Sequence, residues 1–328
     1  MLAAWYETNG PAAEVLQVGQ RPDPEPGPHE VRVRLRAAAV NPSDVKARAG
    51  SRKPIPPYVI PGSDGAGHID RVGAYVDPGR VGERVWIYNA QWGRPFGASA
   101  QFVCLPEALA VPLAESLDFA QGACLGIPCM TAHRCLFADG PVEGLNVLVT
   151  GGAGVVGHHA IQLAKWAGAR VAATVSSPEK AAHARAAGAD VVVDYRRSDV
   201  VRDVRAAIGG IDRVVEVDLG VNLPVSAELL RPSGVIAAYA TTGKPVPELP
   251  YAAMLWKNPV VRQVFVYTMP DAAKRQAIAD IGRWVRESRS SGGPIFALAG
   301  RFPLEHAVDA HRAVEAGTKI GQVVLDIP

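Results

Sequence analysis

Six consecutive residues constrain this chain more than any others: Gly152-Ala153-Gly154-Val155-Val156-Gly157. They fit the spacing G-x-G-x-x-G, a weak signal alone in a chain with 33 glycines among 328 residues. Their context makes the signal strong. The apolar run at 146–150 reads as a short buried strand, helix-like apolar spacing over 155–167 begins inside the motif and stops at Gly168, and a second strand is expected at 170–175. Glycines there let the backbone turn tightly and approach a pyrophosphate without Cβ clashes, while the free N–H groups of the helix start attract negative charge. The alternative is a glycine turn made for packing only.

The alternation continues beyond the motif. A helix is expected at 178–187, a strand at 191–193, a helix at 199–208, a strand at 213–217, a helix at 222–230 and a strand at 235–238. Strands alternating with helices argue βαβ units and a doubly wound parallel sheet. A strand at 260–266, helices at 272–286 and 304–316, and a last strand at 322–325 follow. The first third reads differently. Residues 30–36 alternate strictly between polar and apolar, and short runs such as 84–88 are separated by Gly- and Pro-containing turns. That is the pattern of short strands in a small barrel or sandwich.

Composition narrows the function classes. Lys and Arg number 34 against 32 Asp and Glu, a balance that offers no broad field to nucleic acid or an anionic membrane. The four cysteines, at 104, 124, 129 and 135, form no C-x-x-C pair and read as small buried hydrophobes in a reducing compartment. No apolar run has membrane-spanning length and the first residues carry no signal-peptide pattern, so a cytoplasmic protein is expected.

The end of the strand at 170–175 bears on the choice of dinucleotide. An NAD site places an acid there to accept hydrogen bonds from the ribose. This chain has Ser176 and Ser177, followed by Lys180, which suit a 2′-phosphate and favour NADP; the neighbouring Glu179 weighs against it.

Several stretches together carry a resemblance. They are Val40-Asn41-Pro42-Ser43-Asp44, the segment from Ser51-Arg52-Lys53-Pro54 through Pro61-Gly62-Ser63-Asp64-Gly65-Ala66-Gly67, and Leu117-Asp118-Phe119-Ala120-Gln121-Gly122-Ala123. Gly126-Ile127-Pro128-Cys129-Met130-Thr131-Ala132-His133-Arg134, the glycine motif and Val221-Asn222-Leu223 complete the set. With them the chain resembles the zinc-independent quinone oxidoreductases (ζ-crystallin-like) of the medium-chain dehydrogenase/reductase superfamily. The resemblance implies an α/β protein with a GroES-like β-rich domain at 1–122 and 268–328 and a doubly wound parallel-sheet Rossmann domain at 123–267. It also implies NADPH as cofactor and a homodimer or homotetramer.

Carried over residue by residue, the resemblance puts Ala153, Gly154, Val155 and Val156 at the pyrophosphate. Ser176, Lys180 and Tyr195 surround the 2′-phosphate, and Asn222 lies near the cofactor. Tyr239, Ala240, Thr241 and Thr242, with Val264, Phe265 and Val266, line the nicotinamide side. Asn41, Lys46 and Thr131 are the catalytic candidates, Lys46 standing where the family usually has Tyr. Zinc-dependent members have Cys, His and Glu at the positions of Asn41, Ser63 and Asp64, and a four-cysteine loop absent here, so no metal is expected. The resulting expectation is hydride transfer from NADPH to a quinone. Reduction of activated C=C bonds in an enal, enone or enoyl thioester is the alternative enzyme, and a non-catalytic NADPH-binding protein is the alternative of another class. Neither a membrane nor a nucleic-acid partner is expected.

Overall fold

The alternating segment at 30–36 opens an eleven-residue strand, Glu30–Val40, about which the first sheet is built. The structure is a computed structural model that describes residues 1–288 and 292–328. It divides into one unit of Met1–Ile127 with Phe296–Pro328 and another of Pro128–Ile295. The first unit starts with β1 (Leu2–Trp5), β2 (Gln17–Gln20), β3 (Glu30–Val40), β4 (Asp64–Val72), β5 (Arg84–Ile87), β6 (Phe102–Pro106) and β7 (Ala110–Pro112). The second carries β8 (Asn146–Val149), β9 (Arg170–Val175), β10 (Val191–Asp194), β11 (Ile211–Glu216), β12 (Leu230–Ala238) and β13 (Val260–Gln263). The chain then returns to the first unit with β14 (Leu298–Pro303) and β15 (Gln322–Asp326).

In the first unit the sheet order is β14-β15-β3-β4-β5-β7, with β6 also paired to β3. Val31, Val33 and Leu35 are fully buried, as strict alternation requires. Arg32 breaks the expectation. It is only 4% exposed, because its guanidinium meets the Asp70 carboxylate through Nε at 2.9 Å and Nη2 at 2.8 Å.

In the second unit the order is β10-β9-β8-β11-β12-β13, and every pair is parallel. Counted within the unit this is 3-2-1-4-5-6, the doubly wound order, whose switch point lies between β8 and β11. Val147, Leu148, Val149, Val214, Val215 and Ile236 are all fully buried, as expected of parallel strands covered on both faces. The strand expected over 260–266 ends at Gln263, after which Val264 N–H donates to Ala238 O at 2.7 Å and a short 3-10 turn follows at Val266–Thr268.

The unit boundaries differ from the expected 122 and 268. Residues 123–127 stay with the first unit because Ala123 and Cys124 pack with Ala37, Ala39 and Val324. The helix Asp271–Glu287 belongs to the second unit. Its Asp280 meets His133 Nε2 at 2.9 Å, and Trp284 packs edge-on against His159. Among the described residues no helix is long and apolar enough to cross a membrane.

Candidate active site

The glycine motif sits at the carboxyl end of β8, beside the switch point of the sheet. Its glycines do different work. A Cβ on Gly152 would stand 2.8 Å from Ala173 Cβ, and one on Gly157 would stand 2.4 Å from Gly151 O. Those two positions let strand, turn and helix pack closely. A Cβ on Gly154 would meet only Gly151 O, at 3.3 Å, and Gly154 is exposed. The helix Val155–Trp166 starts there with no side-chain cap, and its first bond runs from His158 N–H to Gly154 O at 2.8 Å. The amides of Val155, Val156 and Gly157 precede that bond, at the positive end of a twelve-residue helix. Ala153 beside them is buried. A pyrophosphate fits this arrangement of open glycine and first-turn donors.

Parallel pairing brings the second cluster together. Val175 of β9 lies opposite Asp194 of β10, and Tyr195 N–H donates to Val175 O at 3.0 Å, so Ser176 and Tyr195 leave the sheet side by side. Lys180 reaches back one helical turn and donates from Nζ to Ser176 Oγ at 3.1 Å. Ser177 caps the helix Pro178–Ala186 by accepting from Lys180 N–H at 3.3 Å. Ser176, Lys180 and Tyr195 therefore form one lip, with Tyr195 about half exposed. Glu179 points outward, and its hydrogen bond with Ser177 holds its carboxyl below the usual range. Arg196 and Arg197 are exposed beyond Tyr195.

The third cluster centres on an acid that sequence reasoning passed over. Glu216, at the end of β11, is completely buried. Its Oε1 accepts from Thr150 Oγ1 at 2.9 Å, Asp218 N–H at 2.8 Å and Asn222 Nδ2 at 2.8 Å, and its Oε2 accepts from Ser226 Oγ at 3.0 Å. The carboxylate thereby ties the end of β8 to the helix Leu219–Leu229 across the switch point, and it fixes Asn222. Asp218 then organises the next loop, accepting from Thr242 N–H at 3.1 Å, Gly243 N–H at 2.8 Å and Thr241 Oγ1 at 3.3 Å. Tyr239 and Ala240 are half-buried at the start of that loop, and Thr241 and Thr242 are exposed. Of the three residues after β13, Val264 and Val266 are buried while Phe265 is 51% exposed. The acid directly after the apolar pair Val214-Val215 is the one local trace of it in the sequence, and it does not name its partners.

In the first unit Asn41 caps the helix Pro42–Lys46 and is 2% exposed. Its Nδ2 donates to Asp64 Oδ2 at 2.7 Å, and its backbone N–H donates to Asp44 Oδ2 at 2.8 Å. Asp64 also accepts from Ile127 N–H, at 2.9 and 3.0 Å, and Ser63 Oγ lies 3.4 Å from Asp44 Oδ1. Both carboxyls are buried. Desolvation pushes the Asp44 pKa up to about 6 and raises that of Asp64 well above the ordinary range, where the charge of Asp44 adds to the effect. Lys46 ends the same short helix and is exposed. Thr131 belongs to the second unit, buried in the helix Ile127–Phe137.

A zinc ion does not fit the positions where zinc-dependent relatives hold one. Asn41 and Ser63 offer a carboxamide and a hydroxyl in place of thiolate and imidazole, and Asp64, which accepts from Asn41 Nδ2 and Ile127 N–H, is the one carboxylate among the three. Among the described residues no three His, Cys, Asp or Glu side chains converge as ligands.

Residues 27–115 match the alcohol dehydrogenase GroES-like domain, and residues 155–282 match the zinc-binding dehydrogenase domain. The quinone oxidoreductase of Mus musculus is 30% identical, over 98% of this chain and 96% of its own length. Among solved structures, one described as an NAD-dependent alcohol dehydrogenase superposes with a TM-score of 0.87 at 32% identity, covering 100% of both chains. A mycobacterial protein solved in complex with NADPH superposes at 0.85 with 28% identity, covering 99% of both. With the doubly wound sheet, the glycine loop at its switch point and likeness along nearly the whole length, the chain is an oxidoreductase and belongs to the quinone oxidoreductase family of the medium-chain dehydrogenase/reductase superfamily.

Proposed function

We propose that this protein is an NADPH-dependent reductase that passes hydride to a quinone without a metal ion. The observation that carries the reading is the lip after β9. Ser176 stands where an NAD site has its acid, and the Lys180 ammonium rests on its hydroxyl. The NADPH found in the mycobacterial neighbour and the name of the mouse relative support the same reading.

In this proposal Gly154 and the amides of Val155 and Val156 hold the pyrophosphate, with Ala153 packed beneath. Lys180, Ser176 and Tyr195 hold the 2′-phosphate, and Asn222 lies near the cofactor. The loop of Tyr239, Ala240, Thr241 and Thr242, together with Val264, Phe265 and Val266, lines the nicotinamide side. When bound, NADPH supplies the hydride. As a ring carbon conjugated to the carbonyl takes the hydride, the C=C pair shifts and the carbonyl electron pair moves onto oxygen. Water protonates that oxygen, and loss of the ring proton to water with protonation of the second carbonyl oxygen gives the hydroquinone. Asn41 donates Nδ2–H to the first oxygen as its charge builds, Lys46 contacts the acceptor, and Thr131 orients the nicotinamide. No acid–base triad is invoked, so rate comes from orientation and from donors placed before the charge appears.

We also infer a cytoplasmic homodimer or homotetramer. Cys104, Cys124, Cys129 and Cys135 are all free thiols, as a reducing compartment favours. The edge strand β13 exposes Val260 and Val261, and nearby in sequence Tyr251, Leu255 and Trp256 are exposed as well, an apolar set of the kind that association covers.

The test is a matrix of NADPH and NADH against 1,4-benzoquinone, 1,4-naphthoquinone and an enone, before and after exhaustive chelation, with alcohol oxidation measured alongside. Quinone reduction at least tenfold more efficient with NADPH, and indifferent to chelation, is expected. Preference for the enone, NAD-linked alcohol oxidation lost on chelation, or tight NADPH binding with no turnover would each replace the reading.

A further inference from the structure

Asn41 has two Nδ2 hydrogens, and one is used on Asp64 Oδ2 at 2.7 Å. The other end of the same carboxamide, Oδ1, receives Gln322 Nε2 at 3.4 Å. Those two contacts select one rotamer. A flipped amide would set its nitrogen against the Gln322 nitrogen and its oxygen against the Asp64 carboxyl.

Both partners are themselves held. Asp64 accepts from Ile127 N–H, and the main chain at Gly126 lies so close that a Cβ there would stand 2.1 Å from Asp64 Oδ1. Gln322, at the start of β15, donates from Nε2 to Val40 O at 2.9 Å and is 1% exposed. The three side chains come from positions 41, 64 and 322, which the pairing of β3 with β4 and with β15 brings together.

We propose that Asp64 and Gln322 are positioning residues that clamp the Asn41 carboxamide from both ends, leaving its second Nδ2–H fixed in direction for the acceptor oxygen. This rests on the role given above to Asn41. A donor held in place before charge develops stabilises that charge without reorganising, whereas a free amide divides its time between two ends. Asp64 makes the shorter contact, so it carries the larger share.

The experiment is a pair of double-mutant cycles read by steady-state kinetics with NADPH and 1,4-benzoquinone, and by NADPH titration. Asn41→Ala should lower kcat about a hundredfold, as loss of one oxyanion donor does. Asp64→Asn should lower kcat about tenfold in the wild-type background, leave NADPH affinity within about twofold, and cost nothing further in the Asn41→Ala background. Gln322→Met should repeat the pattern at about threefold, and its cycle alone decides the matter if Asp64→Asn fails to fold. Equal losses in both backgrounds would mean that the clamp acts independently of Asn41 and would overturn it. Full turnover in Asn41→Ala would overturn the clamp together with the role of Asn41, an outcome distinct from the first.

Discussion

In the second unit, the groups proposed to meet the cofactor phosphates include open ones: Gly154 is exposed, the first amides of its helix have no side-chain cap, and Tyr195 is half exposed. In the first unit, Asn41, Asp44 and Asp64 are each at most 4% exposed and bonded to one another or to backbone. One unit offers donors with capacity to spare. The cluster around Asn41 in the other spends its polar capacity largely on itself, and in the proposal above it leaves one directed N–H. The contrast teaches that anion binding is built from backbone supplied locally, while the orientation of a lone side chain needs partners from across the sheet.

The strongest way to break that contrast is to close the open loop. Gly157→Val forces a Cβ into the space 2.4 Å from Gly151 O, so it should abolish NADPH binding and lower stability by about 3 kcal/mol, while Gly154→Ala should fold normally and weaken NADPH about tenfold. Calorimetric titration and thermal melts separate the two, and equal behaviour of both variants would refute the division of labour among the glycines.

Next in size is the lip. Lys180→Ala removes a charge-assisted bond of about 1.5–3 kcal/mol, which is roughly ten- to a hundredfold in NADPH affinity, and should leave NADH almost unchanged. Added salt should narrow the NADPH preference of the wild type in the same direction. Parallel losses for both nucleotides would show that Lys180 serves the helix rather than the phosphate.

The smallest effect probes the closed cluster. With its pKa raised to about 6, folded Asp44 keeps a proton that the unfolded chain releases near pH 4, so its contribution to stability is lost as pH rises from 4 to 6. His158 in the second unit acts with the opposite sign. Burial lowers its pKa to about 4, so stability is lost as pH falls from the usual imidazole value, near 6.5, through 4. Asp44→Asn should remove its own share of the first slope, leave the share of Asp64, whose buried carboxyl is raised as well, and keep the second, changing the melting-temperature difference from wild type by a few degrees across pH 4 to 6. A difference constant over that window would assign no titration to Asp44.

The same contrast decides what could be read from the chain alone. The glycine loop and the Ser176–Lys180 lip each lie within a few residues, and their flanking strands follow from apolar runs, so both were legible. Glu216 was not, because its donors come from positions 150, 218, 222 and 226 and meet only once β8 and β11 are neighbours. Asp64 was visible as a matched position, yet its bond to Asn41 depends on the register of β3 with β4. Gln322 lies 281 residues from Asn41 and gave no local sign. Strand β14 was missed because Leu298–Pro303 contains a glycine and ends in proline, with no face fully buried. The helix Asp271–Glu287 showed its period but not its owner, since a helix pattern names no partner.

The pairing of β15 with β3 also sets an order of events during synthesis. The second unit is continuous in sequence, 128–295, and every strand of its sheet has left the ribosome before β15 is made. The first unit has emerged over residues 1–127 by then, but the edge of β3 from Ala37 to Val40 still awaits its partner, Val323 to Asp326. Asn41 follows directly on that edge. A nascent chain thus presents every strand of the parallel sheet while one edge of β3, beside its proposed catalytic amide, remains unpaired, a template for any other strand that reaches it first.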